Sequence, residues 1–121
     1  MKILHIVYSM TLGGIETMLV NIANSQSRYA DVYVLVINDV YDQELMGMFC
    51  PQVNVVYNQR PAGSKSPLHL IRLNRHIMKI HPDVIHLHSP KSWRFLFHPF
   101  IRCPIFVTIH DVYNEQDPFK C

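Results

Sequence analysis

Five short runs rich in aliphatic and β-branched residues alternate with segments of helical periodicity, and this alternation limits the fold more than any other feature. Ile3–Tyr8 is almost unbroken in apolar character, the pattern of a strand buried on both faces. Apolar residues then recur at Ile15, Met18, Leu19, Ile22 and Ala23, the stripe of an amphipathic helix. Val32–Ile37 reads as a second strand and Val53–Tyr57 as a third, with a short helix expected at Asp42–Phe49 between them. Asn58–Pro67 carries Pro61, Gly63 and Pro67 among polar neighbours and reads as a loop. Pro67 suits the first turn of a helix running to Ile80, and His81-Pro82 stops it, because a residue before proline disfavours the α region. Asp83–His88 is a fourth strand, Ser92–Ile101 a short helix and Ile105–His110 a fifth strand.

Strands that alternate with helices form parallel crossover units. The expected fold is therefore α/β: a Rossmann-like, doubly wound parallel sheet of order 3-2-1-4-5. The 121 residues fit one domain, 1–121, large enough to close a core without metal or disulfide staples. A composition of 49% hydrophobic and 17% charged residues suits strands covered on both faces. Cys50, Cys103 and Cys121 are odd in number and form no CxxC pair, so neither a zinc ribbon nor a disulfide framework is expected. A reducing, cytoplasmic setting fits them. The chain shows no signal-peptide pattern, and no apolar run approaches the ~20 residues of a membrane span. A net charge of +2 is too small to point to nucleic acid.

In open parallel sheets, ligands bind at the carboxyl ends of the strands where the strand order reverses, here between the first and fourth strands. Ser9–Glu16, His88–Lys91 and His110–Asp111 should converge there. Gly13 and Gly14 stand between a strand and a helix, and two readings are open. The glycines permit a tight turn, or they let an anionic group such as phosphate approach the helix amino terminus. Neither GxGxxG nor GxxxxGK[ST] is present, which disfavours dinucleotide cofactors and P-loop chemistry. Glu16 falls in the first turn, where the helix dipole favours a carboxylate; it stabilises the helix or orients a ligand hydroxyl.

His86 and His88 alternate with Ile85 and Leu87, so both imidazoles point to one face of their strand. The pair resembles a metal clip, but no nearby carboxylate or cysteine completes it, and no metal is expected. His86, deeper in the strand, reads as a hydrogen-bonded core residue; His88, beside Ser89 at the strand end, is the functional candidate. Thr108-Ile109-His110-Asp111 ends the last strand. His110 is suited to donate to a sugar hydroxyl or phosphate, or to transfer a proton. Asp111 is its candidate orienting partner, although neighbours in an extended strand face opposite ways. No serine or cysteine nucleophile motif accompanies them. Arg60, Lys65, Arg72, Arg75 and Lys79 form a basic tract with no acidic residue between Gln59 and Pro82. A solvated helix face and contact with anionic lipid or a pyrophosphate-linked acceptor are both compatible with it. Basic and aromatic residues are not interleaved there, so nucleic acid is not expected.

Four motifs in register resemble the amino-terminal domain of retaining glycosyltransferases of the GT-B fold, family 4, the group 1 glycosyltransferases. They are Lys2-Ile3-Leu4-His5-Ile6, Leu12-Gly13-Gly14-Ile15-Glu16, Pro82–Ser89 and Pro104–Asp111. The resemblance implies transfer of a sugar from a nucleotide-diphosphate donor to a glycan or lipid-linked acceptor, generally without a divalent metal or other cofactor. It implies that Gly13 and Gly14 form the loop that approaches the donor phosphate and that His88 and Ser89 line the acceptor side. His110 corresponds to the histidine near the transferred sugar, the catalytic candidate, with Thr108 and Asp111 beside it.

The family's carboxyl-terminal donor domain has no counterpart in the 121 residues, so a partial amino-terminal domain without transferase activity of its own is expected. The last strand should then present an apolar edge at 105–109, open to self-association. The basic tract suits peripheral contact with the cytoplasmic membrane face. A non-catalytic α/β binding module, or half of a related two-domain nucleotide-sugar epimerase, is the alternative.

Overall fold

The computed structural model describes residues 1–11, 14–61, 64–88, 95, 96, 101 and 103–107. Strand β1 (Lys2–Val7) leads into helix α1 (Gly14–Gln26), then β2 (Asp31–Asn38), the short helix α2 (Gln43–Met46) and β3 (Asn54–Arg60). Helix α3 (Pro67–Ile80), β4 (Val84–Leu87) and β5 (Ile105–Val107) follow. All strand pairs are parallel and the sheet order is β3-β2-β1-β4-β5, the expected doubly wound arrangement. Of the expected helix Ser92–Ile101 only residues 95, 96 and 101 are described, and the end of the expected fifth strand, 108–110, lies outside the described residues.

The order reverses at β1, so successive crossovers cover opposite faces. On one face α1 and α2 bring Leu19, Val20, Ala23, Leu45 and Met46 onto Val32, Val34 and Val36. On the other, α3 sets Leu73, Ile77 and Ile80 against Leu4, Ile6, Leu35 and Ile85. Both faces of the central strands are thus dry, which explains why β1 and β2 read as nearly continuous apolar runs.

Helix α2 is shorter than the expected 42–49 span: Asp42 caps it, accepting from the Leu45 N–H at 3.0 Å, and Gly47 closes it after one turn. Ser66 caps α3 and Pro67 occupies its first turn. The helix ends at His81, which adopts a left-handed conformation (φ 61°) and returns its N–H to the Ile77 carbonyl at 3.1 Å.

One boundary is corrected. β3 does not end at Tyr57 but continues through Asn58 and Gln59 to Arg60, inside the expected loop. Tertiary partners sustain it. The Asn58 amide donates to the His69 carbonyl of α3 at 3.2 Å, and the Arg60 carbonyl accepts from the Asp39 N–H at 2.8 Å. The strand gets there through an irregularity opposite Val36–Asn38, with Gln59 at φ 59°.

Candidate functional site

The carboxyl ends of β1 and β4 lie side by side where the strand order turns back, which marks the candidate site. Met10, on the way out of β1, is fully buried. Its N–H donates to the Val40 carbonyl at 3.0 Å and its carbonyl accepts from the Asp42 N–H at 2.6 Å, forming a parallel bridge with Tyr41. The turn into α1 is thereby anchored to the loop after β2.

Gly14 opens α1. A Cβ built there meets nothing within 4 Å, and its φ is not in the left-handed region. Neither packing nor backbone conformation demands glycine at this position; a side chain would project into open space at a helix amino terminus, where anions are favoured. Glu16, half-buried, lies in the same first turn. Gly13 lies outside the described residues.

His86 and His88 stand on one face, as their spacing requires, with ring centroids 4.1 Å apart and stacked. Their burial is the reverse of expectation. His86 is half-buried, whereas His88 is 4% exposed, its backbone N–H held by the Ile6 carbonyl at 3.0 Å. The cause is a residue the sequence pattern had not singled out. His5, fully buried in β1, is in register with His86, and its Nδ1 lies 2.9 Å from Nε2 of His88. Nε2 of His5 in turn lies 2.7 Å from Oε1 of Gln26 at the end of α1. A continuous contact chain therefore runs from α1 through β1 to the end of β4. Burial, with a smaller effect of His86, pushes the His5 imidazole down to about 4 against the opposing Gln26 hydrogen bond. The signal for His5 was present: an order placing β1 beside β4 aligns their mid-strand histidines. Ser89, Thr108, His110 and Asp111 lie outside the described residues.

The basic tract does not form one surface. Arg60 is buried, apart from the exposed residues of the tract. Its Nη1 donates to Asn38 Oδ1 at 2.8 Å and Nη2 to the Ser64 carbonyl at 2.6 Å, while Cζ sits 5.1 Å from the centre of the Phe95 ring. Phe95 stacks on Tyr8 at 6.0 Å, so Arg60 ties the carboxyl ends of β1, β2 and β3 together. Arg72, exposed, folds back onto the Asn58 carbonyl at 2.5 Å. Lys65, Arg75 and Lys79 are exposed. Burial, Arg72 and Lys79 push the His76 imidazole down, a sign of the positive field along α3.

Two concavities flank these elements. One of about 530 Å³, lined by Ile77, His81, Asp83, Cys103 and Pro104, opens at the amino ends of β4 and β5, the end opposite the candidate site. The other, about 580 Å³, runs along α3 over Leu68, Ile71, Arg75, Met78 and Lys79. Among the described residues no helix is long and apolar enough to cross a membrane.

Comparison with known proteins adds one finding. Residues 12–120 match the family model of Glycosyltransferase Family 4. No curated protein and no solved structure matches the chain. The match runs from the glycine turn after β1 to beyond the fifth strand, on a parallel sheet whose carboxyl edge carries a helix amino terminus with open space beside it; the chain belongs to Glycosyltransferase Family 4.

Proposed function

We propose that this chain supplies the acceptor-side wall of a retaining glycosyltransferase cleft, as the amino-terminal half of a GT-B enzyme. The open space at Gly14 carries the reading: a position that needs no glycine for its own geometry keeps a helix amino terminus clear for a phosphate. In this reading a nucleotide-diphosphate-sugar approaches Gly13 and Gly14 with its phosphates, and Glu16 orients a hydroxyl. A glycan or lipid-linked acceptor lies along His88 and Ser89. His110, flanked by Thr108 and Asp111, meets the transferred sugar. The nucleotide-sugar is a substrate, and no cofactor takes part in the transfer.

Lys65, Arg75 and Lys79, with exposed Leu68, Ile71 and Met78, support a peripheral contact with anionic lipid at the cytoplasmic membrane face. A lipid-linked acceptor would be delivered from that surface.

The test is nucleotide-diphosphate-sugar binding to the chain, followed by calorimetry across several nucleotides. Gly14→Leu should leave the circular dichroism spectrum unchanged, since its side chain enters open space, and weaken binding about tenfold or more by occupying the phosphate approach, a loss of about 1.4 kcal/mol. Unaltered affinity in Gly14→Leu would remove the phosphate from this turn. Sugar transfer by the 121 residues alone would overturn the assignment of the donor site to another domain.

A further inference from the structure

His5, His86 and His88 bring three imidazoles to one point of the sheet, with a candidate ligand nitrogen from each within 4.8 Å of the others. His5 of β1 pairs with His86 of β4, and His88 follows directly on the end of β4. The sheet sets the backbone of His5 and His86, and the Ile6 carbonyl holds the His88 N–H at 3.0 Å just past the strand.

Gln26 decides which nitrogen of His5 faces the other two. An amide oxygen only accepts, so the 2.7 Å contact with Gln26 Oε1 requires His5 Nε2 to carry the ring proton. Nδ1 of the neutral ring then presents its lone pair toward His88, 2.9 Å away. An imidazole that donates from one nitrogen to a protein oxygen while its other nitrogen faces the site is the orienting arrangement of metal-ligating histidines.

The spacing is close to what coordination needs. Nitrogens bound at about 2.0–2.1 Å to a tetrahedral ion stand about 3.3 Å apart. His5 and His88 must separate by a few tenths of an ångström from their 2.9 Å contact. The His86 ring must swing inward, and its half-buried position leaves it a side to turn on and an ion a way in. All three donors are imidazole nitrogens, which suit zinc and its neighbours rather than magnesium or calcium.

We propose that His5, His86 and His88 form a three-histidine site for a divalent transition metal of the zinc class, which clamps β1 to β4 below the strand ends. On binding, the ring proton of His88 moves from Nε2 to Nδ1. The ring stays neutral: Nε2, which until then donates its N–H to His5 Nδ1, is left with a lone pair that bonds the ion. The site shares His88 with the proposed acceptor wall, but its metal-binding readouts need no sugar transfer, so it stands or falls without that reading.

The experiment titrates Zn²⁺ into the purified chain by calorimetry and follows Co²⁺ by its visible absorption. One ion per chain with tetrahedral-type Co²⁺ bands is expected. His86→Ala should abolish binding, and Gln26→Leu should weaken it about 10–100-fold by releasing the His5 tautomer. A variant with Cys50, Cys103 and Cys121 all changed to Ser should bind as the parent does. Zn²⁺ should also raise the melting temperature of the parent chain, reversibly with a chelator, a readout that needs no variant to fold. No saturable binding, binding indifferent to His86→Ala, or binding lost with the cysteines would each overturn the proposal.

Discussion

His5 is a titratable group enclosed by Gln26 of α1 on one side and by His86 of β4 and His88 just after it on the other. Its imidazole is pushed down to about 4 mainly by burial. The unfolded chain, with a histidine near its ordinary value, therefore binds more protons between pH 6.5 and about 4 than the folded one does. Stability from this group is complete above pH 6.5 and is lost as pH falls toward about 4, by a total of about 3 kcal/mol. Urea unfolding at a series of pH values should show that decline, and His5→Gln should flatten it. Parallel curves for parent and variant would assign the decline to other groups. At this scale the sequence is a poor guide to burial. Arg60 sits in a polar stretch and looks like a surface cation, yet it is interior because Asn38, Ser64 and Phe95 enclose its guanidinium.

Helix α3 shows how one element carries two apolar faces. Leu73, Ile77 and Ile80 are buried in the core, while Leu68, Ile71 and Met78 remain exposed beside Arg75 and Lys79. The first-turn proline and the His81-Pro82 stop located this helix accurately, whereas its Ser66 cap emerged only in the structure. The split of its basic residues was not. Arg72 directs its charge to carbonyls at the end of β3, so the set left for the proposed lipid contact is Lys65, Arg75 and Lys79. Changing Arg75 and Lys79 to Gln should weaken co-sedimentation with anionic vesicles about 30-fold, at about 1 kcal/mol for each charge, with melting temperature unchanged. Equal binding to neutral vesicles by parent and variant would show that electrostatics are not involved.

At the scale of the whole molecule the sheet, among the described residues, has two unlike edges. β3 is the longer and is tied down through Arg60 and Asn58. β5 is three residues long, pairs only with β4 among the described residues, and leaves Phe106 60% and Val107 37% exposed. An apolar edge of this kind invites pairing with a second copy. Sedimentation velocity should show concentration-dependent association of the parent chain and its loss in Phe106→Lys. A parent that stays monomeric at high concentration would refute pairing through this edge.

By itself the sequence determined the alternation of strand and helix, and with it the parallel sheet and its order. These follow from periodicities within ten or fifteen residues, which the chain displays wherever it folds. Only the tertiary structure decided that Arg60 is interior, that β3 outruns its apolar segment, and that His88 is more buried than His86. Each depends on partners distant in the chain: His5 and His88 are 83 residues apart and meet only because β1 and β4 pair. Local pattern records which face a side chain takes. What waits on that face is set by strand register and by the helices laid across it, and no local pattern encodes either.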